Sequence, residues 1–115
     1  MAKINIQGKQ LRVSFSPSER HLLGRPDLSL ELDRVVDVSV VPKPKSADLG
    51  RRVSKAPLLG GLTGEYRAGS RKILVVGRSS TYIRIALRHP SVDEIWVGGQ
   101  NQLATAETIT NALKK

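Results

Sequence analysis

The chain of 115 residues contains no cysteine, so no disulfide can form and no thiol is available as a nucleophile or metal ligand. Small secreted domains often carry bridges, and the expectation here is a reducing, cytoplasmic setting. Aromatic residues are also scarce. One Trp, two Tyr and one Phe leave few platforms for stacking on bases, and the core has to be built from Ile, Leu and Val. Long apolar runs are missing too: nothing approaches the roughly eighteen consecutive apolar residues of a membrane-spanning helix. The opening Met1-Ala2-Lys3-Ile4-Asn5-Ile6-Gln7 alternates like a strand and does not form the apolar block of a signal peptide. Finally, acidic residues are nearly absent from one region. Between Lys43 and Arg88, eleven Lys or Arg face only Asp48 and Glu65, while the rest of the chain carries eight of each sign. The whole net charge of +9 therefore belongs to the middle of the chain. It implies a one-sided basic surface, either for an anionic partner or as a solvated face that keeps the protein soluble.

The length fits one domain, spanning residues 1–115, large enough to bury roughly two-thirds of its unfolded surface. Within it, Ile4 and Ile6, then Leu11, Val13 and Phe15, alternate on either side of Gln7-Gly8-Lys9 and predict an opening hairpin. Ser16-Pro17-Ser18-Glu19 has the form of a capping box, predicting a short helix to about Leu23 that Gly24 and Pro26 end. Leu28, Leu30 and Leu32 predict a third strand. Val36, Val38 and Val40, alternating with Asp37 and Ser39, predict a fourth. Pro42-Lys43-Pro44-Lys45-Ser46 has to leave the sheet, and the aperiodic stretch from there to Gly61 reads as one long, exposed, basic loop, about 42–61.

Thr63 to Arg67 predicts a fifth strand. Lys72 to Gly77 and Thr81 to Leu87 are β-branched runs separated by Arg78-Ser79-Ser80, and predict a central hairpin with Ile83, Ile85 and Leu87 inside and Tyr82 and Arg84 facing solvent. Another strand follows at Ile95 to Val97. A helix over Gln102 to Lys114 carries Leu103, Ala106, Ile109 or Thr110, and Leu113 on one apolar stripe. The fold class expected is mainly β: two antiparallel sheets packed face to face, a short helix after the second strand and a C-terminal helix over one open end.

That order resembles the pleckstrin-homology-like (PH-like) superfold, a partly open barrel capped by a C-terminal helix. More closely, Phe15-Ser16-Pro17-Ser18-Glu19, Leu28-Ser29-Leu30, Arg51-Arg52-Val53-Ser54-Lys55-Ala56-Pro57, Gly60-Gly61-Leu62-Thr63-Gly64-Glu65-Tyr66-Arg67 and Val75-Val76-Gly77-Arg78 are similar to a group of small, uncharacterised bacterial PH-like proteins, mainly actinobacterial. The resemblance covers nearly the whole chain and implies a fold without an activity. It also implies that a strand edge and the groove beside the terminal helix can receive peptides. Lys9 and Arg12 fall where many PH domains carry basic residues for phosphoinositide headgroups.

For catalysis the inventory is thin. His21 and His89 are the only imidazoles, and Asp93-Glu94 is an adjacent pair that projects to opposite faces of a strand. Gly60-Gly61-Leu62-Thr63-Gly64 is not followed by Lys-Ser or Lys-Thr, so it reads as a turn before a strand and not as a phosphate loop. Tyr66 and Trp96 are either core residues or anchors for a partner. The expected function is a non-enzymatic interaction or scaffold module without a cofactor. Its basic residues Lys43, Lys45, Arg51, Arg52, Lys55, Arg67, Arg71, Arg78 and Arg84 would meet an acidic protein or peptide, with nucleic acid second and an anionic membrane third.

Overall fold

The computed structural model describes residues 3–17, 20, 27–44, 49–53, 63–77, 79–88, 92–99 and 102–113, and among them lie nine strands and one long helix. Strands β1 (Lys3–Gln7) and β2 (Gln10–Ser14) form the expected opening hairpin, with Ile4 opposite Val13 and Ile6 opposite Leu11. Gly8, at φ +60°, supplies the left-handed residue its tight loop needs. Strand β3 (Leu28–Glu31) pairs with β2 and completes a three-stranded antiparallel sheet. A 3-10 turn over Leu32–Arg34 then carries the chain into the second sheet.

That second sheet has six strands in the order β4-β8-β9-β7-β6-β5. Its members are β4 (Val35–Pro42), β5 (Arg51–Arg52), β6 (Gly64–Ala68), β7 (Arg71–Val76), β8 (Thr81–Leu87) and β9 (Glu94–Gly98). Both sheets are open and no closed barrel forms. Helix α1 (Gln102–Leu113) follows the last strand.

The main core lies between the sheets. Leu11, Val13, Phe15 and Leu30 meet Leu74, Val76, Ile83, Ile85, Leu87, Ile95 and Val97, and α1 contributes Ile109. Alternate residues of β2, β7, β8 and β9 enter it, as the pleat requires, while β5 and β6 contribute none. A smaller cluster of Leu49, Tyr66, Ile73, Val75 and Tyr82 occupies the other face of the six-stranded sheet.

Several expectations are corrected. The central runs do not form a hairpin, because β9 lies between β7 and β8, parallel to the first and antiparallel to the second. The sheet is therefore mixed and not wholly antiparallel. Periodicity sees that β7 and β8 are strands but not which strand each one pairs with. The link from Gly77 to Ser80 has to bridge two inter-strand spacings, about 9–10 Å, across the end of β9. Two glycines make that passage possible. A Cβ on Gly77, at φ +90°, would lie 2.9 Å from the Gly98 carbonyl oxygen, and one on Gly98 would meet the Tyr82 ring at 2.9 Å. Tyr82 is consequently buried, its hydroxyl donating to the Gly77 carbonyl at 2.9 Å, and does not face solvent.

In β4, a bulge between Val35 and Asp37 inserts one residue, so Val35 enters the core and Val36 is 53% exposed. The stretch predicted as one exposed loop contains a fully buried Leu49 and the edge strand β5. The helical turn after Ser16 shows in the bond from the Arg20 N–H to the Ser16 carbonyl, 2.9 Å. The remainder of that short helix, His21, His89, Gly60 to Leu62 and the Leu103 side chain lie outside the described residues.

Gly77→Ala is expected to lower stability by about 1–3 kcal/mol through backbone strain, before the clash with Gly98 is counted. Gly8→Ala has an unfavourable φ but open space around it and is expected to cost less. Urea unfolding of the two variants measures the difference, and equal midpoints would remove the steric argument for the crossing.

Candidate anion-binding face

Strand alternation divides the basic residues of the six-stranded sheet between its two faces. On one face, Arg71 of β7 and Arg84 of β8 converge on Glu94 of β9. Arg71 Nη1 lies 2.8 Å from Glu94 Oε2, Arg84 Nε lies 2.7 Å from Oε1, and the Trp96 indole N–H donates to Oε1 at 3.1 Å. The Glu94 side chain is only 5% exposed, against 28% for Arg84 and 53% for Arg71. Burial pushes this carboxyl up, but the hydrogen bonds from Arg84 and Trp96 and the charges of both arginines outweigh it, and the net shift is downward. A buried carboxylate is tolerated only when it is paired and hydrogen-bonded. Glu94 meets that condition by tying β7, β8 and β9 together.

Arg52 is committed on the same face. Its guanidinium lies 4.9 Å from the centre of the Tyr66 ring, donates to the Tyr66 hydroxyl, and donates to the Thr63 carbonyl at 3.1 Å. Burial raises the Tyr66 pKa against the opposing charge of Arg52.

The opposite face carries the main core over β7, β8 and β9, but its β5–β6 edge supplies no residue to that core and bears cations instead. Arg51 of β5 stands directly across from Arg67 of β6, and Arg67 directly across from Lys72 of β7. Directly opposed like charges destabilise a sheet. Arg51 and Arg67 are both exposed, and among the described residues neither forms an ion pair. Lys72 is half-buried, and its backbone N–H donates to the Asp93 carboxylate at 2.8 Å. That acid offsets charge at its end of the row. Arg51 and Arg67, which share their face with Glu65, are the members of the row that stay exposed and outside any ion pair among the described residues.

Of the nine basic residues singled out in the sequence, the structure brings Arg71 and Arg84 together around an internal acid, holds Arg52 on a tyrosine, and leaves Arg51 and Arg67 facing outward. Lys43 follows β4, the edge strand at the other end of the strand order, with its N–H donating to the Ser80 carbonyl at 2.9 Å. Lys45, Lys55 and Arg78 lie outside the described residues. The groove beside α1 is not basic: Glu31 and Asp33 line it with Lys9, next to Ile6, Val36 and Leu113. Arg12 lies 3.7 Å from Asp27, whose carboxyl is held below its usual value by the bond from the Phe15 N–H and by Arg20 and Arg12.

Sequence reading missed Glu94 as the centre of a cluster. The available signal was a carboxylate in phase with Trp96 in an otherwise apolar strand, which demands cations across the neighbouring strands. Tyr66 is buried in the second cluster, and Trp96 is half-buried against it. Among the described residues no group of three or more His, Cys, Asp or Glu could hold a metal ion, and no helix is long and apolar enough to cross a membrane.

These observations define a mainly β protein of two open sheets with a C-terminal helix and a paired-arginine face at one sheet edge. Comparison of the chain with protein-family models, curated proteins and solved structures gives no match.

Proposed function

We propose that this chain is a non-enzymatic, PH-like interaction module of the cytoplasm that binds an acidic protein or peptide through Arg51 and Arg67. The observation that carries the reading is their cross-strand juxtaposition, exposed and, among the described residues, in no ion pair, in a sheet where Arg71 and Arg84 are engaged by the internal Glu94. Two guanidiniums held side by side repel each other until an anion lies between them, and carboxylates match their planar donor geometry. The PH-like resemblance accords with a strand-rich chain closed by a helix. The function rests on the site and not on the fold, because the open sheets and the parallel β7–β9 pair differ from an all-antiparallel barrel.

The test compares labelled poly-glutamate, duplex and single-stranded oligonucleotides, and anionic vesicles at increasing salt. Poly-glutamate is expected to bind the native protein, to lose at least about tenfold in affinity with Arg51→Glu/Arg67→Glu, and to bind nearly unchanged to Lys3→Glu/Lys9→Glu. The two double variants alter net charge equally. Equal weakening by both would show that net charge alone acts and would remove the site. A preference for oligonucleotides, with a steep salt slope that shrinks by about one unit per phosphate-contacting arginine removed, would replace the acidic partner with nucleic acid.

A further inference from the structure

We infer that the partner presents an acidic, amphipathic α-helix that lies across β5 and β6, its carboxylates over Arg51 and Arg67 and an apolar side chain on Val53. This inference rests on the acidic-partner reading above and adds the conformation and polarity of the ligand. The cation row runs perpendicular to the strands, because Arg51, Arg67 and Lys72 are direct cross-strand partners. Its step is therefore the inter-strand spacing, about 4.8 Å. Carboxylates at i and i+3 or i+4 of a helix are separated by about 4.5–6 Å along its axis. Carboxylates at i and i+2 of an extended segment are about 6.6–6.8 Å apart, too far for that step. An extended segment laid alongside β5 instead would find only the two strand residues Arg51–Arg52 to pair with, and would bring one side chain to the row.

Val53 supplies the second half of the argument. Its N–H donates to the Glu65 carbonyl at 2.8 Å, carrying the β5–β6 ladder one pair beyond Arg52 and Tyr66. Alternation then puts Val53 on the same face as Arg51, and Glu65 on the same face as Arg67. Val53 is 46% exposed and, with Val36, is one of two large exposed apolar residues among those described. A carboxylate set beside the row would meet Glu65, whereas an aliphatic side chain would cover Val53. The face thus selects a helix with an acidic stripe flanked by an apolar one, and disfavours a helix acidic all round.

The experiment uses the full chain and three capped, fluorescent peptides of identical composition, with conformation verified by circular dichroism. The first is a helix with Glu at i, i+3 and i+7 beside a Leu stripe. The second is a helix with Glu and Leu spread around its circumference, and the third is an extended sequence with Glu at every second position. Fluorescence anisotropy is expected to show the striped helix binding about tenfold more tightly than either of the others. Val53→Ser should weaken the striped helix several-fold and leave poly-glutamate binding unchanged. Equal or tighter binding of the extended or the unstriped peptide overturns the helix, while the acidic partner stands if poly-glutamate still depends on Arg51 and Arg67. If neither the peptides nor poly-glutamate bind, both readings fall. A Val53→Ser variant that binds the striped helix as the native protein does overturns the apolar contact.

Discussion

Glu94→Gln is expected to destabilise the protein by about 2–4 kcal/mol, measured as a shift of the urea midpoint at constant slope. Glutamine has the same shape, so no cavity forms. It can accept from one arginine but presents its amide N–H₂ to the other, and neither cation keeps a counter-charge. Breaking a fully buried pair costs about 3–5 kcal/mol. The lower figure applies here because Arg71 is 53% exposed and can turn its guanidinium into water. Arg84, 28% exposed, has less freedom, so Arg71→Ala is expected to cost less than Arg84→Ala. A Glu94→Gln variant as stable as the native protein would show that the cluster contributes nothing net.

The same residue predicts a pH dependence. The folded-state pKa of Glu94 is lowered relative to its ordinary value of 4.5. Its charged form is thus favoured in the folded protein, and the associated stability is fully present above the unfolded pKa. It is lost as pH falls below 4.5 and through the depressed folded value. The gap between native protein and Glu94→Gln should accordingly be constant near neutrality and narrow in acid.

Ile109→Asp is expected to have the largest effect of any single substitution considered, about 4–5 kcal/mol or more. Ile109 is 0% exposed in the main core, so the variant loses apolar contact and buries a carboxylate in an apolar cluster. Domains of this size are stable by about 5–15 kcal/mol, and most or all of that margin would go. Ile109→Val, costing about 0.5–1.5 kcal/mol, keeps the position testable if the aspartate variant does not fold. Leu113→Asp is expected to cost less, because Leu113 is only half-buried against the core. If Ile109→Asp melts with the native protein, α1 is not docked through Ile109.

Alternation and punctuation in the sequence determined where most of the strands and the helix lie; the two-residue β5 was too short to show a period. Leu11 and Val13, Leu28 and Leu30, Ile83 and Ile85, and Ile95 and Val97 each take the pleated face that their period of two assigns. Gly8 placed a turn, and the helical spacing of Ala106, Ile109 and Leu113 placed α1. Composition alone located the excess cations in the middle of the chain. Which strands are neighbours was decided only in three dimensions, because side-chain period reports the face a residue takes and not the strand across from it. The insertion of β9 between β7 and β8 removed the central hairpin and brought Glu94 between Arg71 and Arg84. The same register separated those two, as structural ion partners, from Arg51 and Arg67, whose facing positions across β5 and β6 no one-dimensional pattern encodes. Charge can be counted along a chain, but its compensation depends on distances that only the packed sheet sets.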